Sequence, residues 1–192
     1  MNLRHFYELS EEYFYLVSPE LSHAELERYL RVPKKKTGLD NVTEQLFHSL
    51  QNKQMYPNII KFDKNIDQFK YILCDFDCCE IIQKYSEPEK LLDEFTREFH
   101  IQKPQNSKTA WGLYATSILS AATFLSRFDD GQKFNVFVDG FAANELSVAA
   151  LPLLLEKEIF GLGFALACDF LKELGYENYA KPDVHIKDVF KK

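Results

Sequence analysis

Glycine and proline are scarce in this chain, seven of each in 192 residues. Folds assembled from many short strands need frequent turn residues, so their scarcity favours helices. Cysteine is also sparse. The four are Cys74, Cys78, Cys79 and Cys168, three of them bunched and none in a regular framework, which excludes a disulfide scaffold and points to reduced thiols. Cys74 and Cys78 have no second ligand pair near them, so the pattern speaks for burial and against a zinc or iron–sulfur site. No apolar run approaches the roughly 20 residues needed to cross a bilayer. The N-terminal Met1-Asn2-Leu3-Arg4-His5 is polar and lacks the form of a signal segment. A soluble, cytoplasmic protein with no membrane partner is the expectation. Positive charge is in deficit, with 23 basic against 29 acidic residues and a formal net charge of −6. The overall balance therefore does not announce nucleic acid, and any such face must be locally basic. Lys172, Lys181, Lys187, Lys191 and Lys192 gather toward the C-terminus, while Glu87, Glu89, Asp93, Glu94 and Glu98 place acid elsewhere.

What the chain has in abundance is aromatic surface, with 17 Phe and 10 Tyr. That excludes disorder and implies a well-filled apolar interior. Helical periodicity dominates. Phe6, Tyr7, Tyr13, Phe14 and Leu16 predict a first helix closed by Ser18-Pro19. Ser22, with Glu25 as its capping-box partner, opens a second through Leu26, Tyr29 and Leu30. Residues 31–38 read as a basic loop, and a third helix runs from Asp40 to about Asn52. Residues 57–73 fit extended or helical structure equally. Two short helices cover 74–85 and 88–99, and 102–107 is a connecting loop that would divide two lobes, about 1–105 and 106–192, of a single unit. A long helix spans Lys108 to Arg127. The alternating stretch Lys133 to Phe141 reads as a short strand or an irregular connection, and a helix from about Asn144 to Lys157 follows.

The most informative segment comes next. Ile159-Phe160-Gly161-Leu162-Gly163-Phe164-Ala165-Leu166-Ala167 sets two glycines one residue apart between helical patterns, and Asp183-Val184-His185-Ile186 follows about sixteen residues later. A glycine turn opening a helix exposes amides that suit phosphate. Taken alone, Gly161-Leu162-Gly163 reads equally as a tight corner between packed helices. The two ordered halves together resemble the helix-hairpin-helix DNA glycosylase superfamily over residues 145–190, with the hairpin itself at 145–175.

The resemblance implies an all-α, two-lobed helical fold of the helix-hairpin-helix DNA glycosylase type. It implies hydrolysis of the N-glycosidic bond of a damaged or modified base, and duplex DNA with an extruded base as partner. Gly161, Gly163, Phe164 and Ala165 would grip a phosphate, with a monovalent cation as an optional aid, and Lys181 and Lys187 could meet neighbouring phosphates. Asp183 would stabilise the cationic sugar and activate water, a task that suits a carboxylate; it also fits an N-cap. His185 would support the loop. Members that also cut the strand carry a lysine shortly after the second glycine, whereas Phe164-Ala165-Leu166-Ala167 stands here, which implies a monofunctional enzyme. The cysteine cluster that holds an iron–sulfur centre in some members is missing. Trp111 and Tyr114 are candidates for a base pocket, with core packing as the other reading. The alternative function is a noncatalytic hairpin module that binds DNA or protein.

Overall fold

The computed structural model describes residues 3–20, 22, 24, 33–53, 57–103 and 105–179. These residues are helical and contain no strand. No helix among them is long and apolar enough to cross a membrane. The chain divides into two units, Met1–Val32 and Pro33–Lys192. In the first unit α1 spans Leu3–Val17, ending just before Ser18-Pro19 as the sequence predicts. The helix expected from Ser22 falls outside the described residues.

The second unit begins with α2, Leu39–Gln51, which buries Val42, Leu46, Phe47 and Leu50. The ambiguous stretch that follows resolves into short helical pieces: α3 (Pro57–Ile60), a 3₁₀ turn (Asp63–Asn65) and α4 (Ile66–Ile72). A second 3₁₀ turn (Cys74–Phe76) leads to α5 (Cys78–Lys84), whose N-cap Asp77 accepts the Glu80 amide at 2.9 Å. In α6 (Pro88–Glu98), proline takes the first helical position, where its missing N–H costs nothing. After the 102–107 loop comes α7 (Ala110–Leu125), capped by Thr109 and buried on nearly every side. A helix apolar all round belongs in the middle of a core. Accordingly α7 packs against α2, α5 and α6, so one core runs through residues on both sides of the loop.

Aromatic rings fill that core. Phe69 lies with its ring centre 4.8 Å from that of Phe62, 4.9 Å from Phe99, 5.7 Å from Phe95 and 6.1 Å from Tyr114. A second aromatic group joins Phe124, Phe128, Phe134, Phe137 and Phe170 around α8 (Gly131–Ala142). The strand or irregular connection read from Lys133 to Phe141 is thus corrected to a helix. Asp130 starts it by accepting the Lys133 amide at 2.8 Å. Phe134, Phe137, Val138 and Phe141 then recur at helical spacing, and burial of that stripe overrides the local alternation.

The helix expected over 144–157 is two, α9 (Glu145–Val148) and α10 (Ala150–Glu158). Pro152 supplies the reason, since its ring collides with the carbonyl four residues back, on Val148, where α9 ends. The last described helix is α11 (Phe164–Glu173). Past it Gly175 adopts φ +95, and a Cβ there would come within 2.5 Å of the Pro33 carbonyl oxygen. The buried Tyr176 hydroxyl donates to Asn135 Oδ1 at 2.7 Å, and Asn135 Nδ2 donates to the Lys36 carbonyl at 3.0 Å. The chain leaving α11 is therefore tied to α8 and to the stretch that enters α2.

All four thiols are free. Cys78 lies 3.2 Å from Thr43 Oγ1, and burial pushes the thiols of Cys78 and Cys168 up to about 11. Burial likewise raises the phenols of Tyr114, Tyr176 and Tyr179. In the unfolded chain these groups ionise at their ordinary values, so their contribution is complete below about pH 9 and lost as pH rises through the higher folded values. The urea midpoint should hold steady to about pH 9 and fall steeply above it; a flat midpoint through pH 11 would contradict this burial pattern. Phe69→Ala should cost about 3–5 kcal/mol in a denaturant titration, the range for removing a buried aromatic ring.

Candidate nucleic-acid interface

Between α10 and α11 the chain turns through Ile159 to Gly163, and the side chains alternate between core and surface. Ile159 and Leu162 are each 1% exposed, whereas Phe160 is 47% exposed. The two buried residues pin the bend at both ends. The Leu162 amide donates to the Ile159 carbonyl at 3.2 Å, closing a tight turn. Gly161 sits at φ +86, a conformation that side-chain-bearing residues rarely adopt, and a Cβ there would lie 2.4 Å from Ser117 Oγ. Both conformation and space require glycine.

The bend rests on α7. Ser117 Oγ donates to the Leu113 carbonyl at 2.9 Å, which holds it in the place where Gly161 approaches. Ser120 Oγ accepts the Phe160 amide at 2.9 Å and donates to the Glu158 carbonyl at 3.4 Å. The Glu158 carboxylate meets Arg127 at 2.6 Å, so the acid nearest the bend is already paired.

Gly163 behaves differently from Gly161. Its backbone is extended, at φ −74 and ψ 163, and an added Cβ would meet nothing within 4 Å. No side chain caps α11. The first intrahelical bond runs from the Ala167 amide to the Gly163 carbonyl at 2.9 Å, which leaves the amides of Phe164, Ala165 and Leu166 in the first turn with no place in the helix's own ladder. The positive end of the helix dipole falls at the same point. Lys53, just beyond α2, adds a full charge. Its Nζ lies 5.4 Å from the Phe160 ring centre and 4.0 Å from the position a Gly161 Cβ would take. Sequence reading missed Lys53 because a lone lysine after a helix carries no signal; only folding brings it to the bend.

Gly161, Gly163, Phe164 and Ala165, close neighbours in the chain, all lie at this bend or at the start of α11. Lys181, Asp183, His185 and Lys187 lie outside the described residues. The pocket assigned to Trp111 and Tyr114 is corrected. Tyr114 is 1% exposed, its hydroxyl donates to the Phe47 carbonyl at 3.0 Å, and its ring stacks on Phe95, so it is a core residue. Trp111 is 7% exposed and stacks on Phe99 with ring centres 4.9 Å apart. It precedes Ser120 on α7 by roughly two and a half turns, so the two leave that helix on opposite sides. Trp111 therefore does not share a face with the bend.

The optional cation at the turn would draw on main-chain carbonyls. Those of Ile159 and Gly163 already accept amides, and no group of three His, Cys, Asp or Glu side chains suited to a metal occurs among the described residues. No family model, curated protein or solved structure matches the chain.

The two glycines should separate cleanly on substitution. Gly161→Ala should lower stability by about 1–3 kcal/mol, from the left-handed backbone and the contact with Ser117. Gly163→Ala should change it by less than about 1 kcal/mol. Urea titration of both variants checks the contrast, and equal losses would mean that the bend is seated differently.

Proposed function

We propose that this chain binds duplex DNA through the α10–α11 bend and hydrolyses the N-glycosidic bond of a damaged or modified base, as a monofunctional glycosylase. The observation that carries the proposal is the uncapped start of α11, whose first amides have no place in the helix's own ladder, with open space at Gly163. Lys53 supports it by placing a cation beside the bend, and the pairing of Glu158 with Arg127 supports it by removing a repulsive acid. These groups suit a phosphate oxygen, and their grip would be independent of base sequence. The overall charge of −6 is compatible with this because the attraction is local.

The chemistry falls to Asp183, ten residues past the end of α11. The chain approaching it is anchored, since Tyr176 and Tyr179 are buried and Gly175 abuts the Pro33 carbonyl. With a nucleotide rotated out of the stack, the bond from C1′ to the base nitrogen breaks and the base leaves with the bonding pair. Positive charge builds on the sugar ring, and the Asp183 carboxylate stabilises it. Water adds to C1′ and gives its proton to the carboxylate, from which it passes to the departed base. The products are the free base and an abasic site in an uncut strand. Phe164-Ala165-Leu166-Ala167 offers no amine after Gly163, so water is the nucleophile and no Schiff base forms.

Two variants separate grip from chemistry. Asp183→Asn should release base from duplexes carrying a panel of alkylated, oxidised and deaminated bases at least about a hundredfold more slowly than the wild type, while binding them equally. Gly163→Asp should abolish binding while the protein stays folded, because aspartate is a good N-cap yet repels phosphate. Equal release by Asp183→Asn would remove Asp183 from the mechanism. Duplex binding without release from any lesion would assign the noncatalytic role, and unchanged binding by Gly163→Asp would overturn the interface itself.

A further inference from the structure

Among the phenylalanines of the described residues, Phe160 alone stands exposed; the others are buried or packed against the core. The bend holds it out. Ile159 and Leu162 are anchored in the core on either side of it, its amide donates to Ser120 Oγ at 2.9 Å, and Gly161 beyond it is confined by its positive φ and by Ser117. A backbone so pinned presents the ring at a fixed place before anything binds, which lowers the ordering cost of a contact made there. Lys53 Nζ stands over one face of the ring, 5.4 Å from its centre, and has no other partner among the described residues. Phe160 remains 47% exposed with that lysine in place. The uncapped first turn of α11 follows within the same bend. A projecting ring, a lysine and amides outside the helix ladder are the parts with which proteins hold an unpaired strand, since bases stack on the rings and cations follow the backbone. In a paired duplex the bases are shielded within the stack.

We propose that the bend takes DNA where one strand is unpaired, with the base next to the gripped phosphate stacked on Phe160. This rests on the reading of the bend as a DNA grip, and it narrows the partner from duplex in general to a duplex interrupted by unpaired nucleotides. The amides fix where the backbone lies. The ring adds an apolar contact open to any base, because every base has a π face. Selectivity is therefore for the state of the strand and not for its sequence. A fully paired duplex offers the ring no base face, so Phe160 stays in water and adds nothing to the grip.

The full chain is titrated with a fully paired DNA duplex labelled with fluorescein, and with the same duplex carrying a short gap in one strand whose unpaired bases include 2-aminopurine. The gapped duplex should bind at least about tenfold more tightly. Phe160→Ala, which removes an exposed ring and leaves the core intact, should erase that preference while holding the affinity for the paired duplex within about twofold. Phe160→Trp, which keeps a ring, should retain the preference. Emission from the 2-aminopurine should fall when the wild type binds, because stacking quenches it, and should not fall with Phe160→Ala. Equal affinity for the two duplexes, abolished on both by Gly163→Asp, would overturn the stacking and leave the grip standing. A preference for the gap that survives Phe160→Ala would also overturn it, and no binding to either duplex would overturn grip and stacking together.

Discussion

The burial of α7 is the constraint on which the second unit depends. Its sequence alternates large aromatic and aliphatic residues with alanine, so neighbouring helices approach closely on several sides at once. One side receives Phe69, Phe95 and Phe99 around Trp111 and Tyr114, and another receives the α10–α11 bend. On that second side Ser120 accepts the Phe160 amide, which the bend cannot satisfy for itself, while Ser117 bonds back to the Leu113 carbonyl of its own helix. Moving α7 would disturb the core and the bend together.

The bend shows how two glycines in one motif serve different ends. Gly161 is required by geometry, because its positive φ and the nearness of Ser117 exclude any side chain. Gly163 has ordinary extended angles and open space before it, so the structure around it makes no such demand. It stands at the uncapped start of α11. Lys53 approaches the same bend from beyond α2.

Helix positions were largely legible from the chain. The spacing of Val42, Leu46, Phe47 and Leu50, and of Leu91, Leu92 and Phe95, reports which face turns inward, and Pro88 and Ser18-Pro19 mark ends. Legibility failed where local preference and burial disagreed. Residues 133–141 alternate like a strand, yet their phenylalanines also recur at helical spacing, and only the presence of Phe124, Phe128 and Phe170 decides between the two periods. The break between α9 and α10 was available from Pro152 but is a single-residue signal inside a strong helical pattern. Tyr114 could not be told from a ligand-stacking residue, because an aromatic ring at helical spacing looks the same whether its neighbour is Phe95 or a base.

What the sequence by itself determined is the helical class, the small thiol count and the local form of the glycine bend, all of which depend on residues within a few positions of one another. Tertiary structure alone decided which glycine is sterically required, that Lys53 stands at the bend, and that Trp111 does not share a face with the bend. Those facts depend on distance in space between residues far apart in the chain, and local propensity contains no information about it.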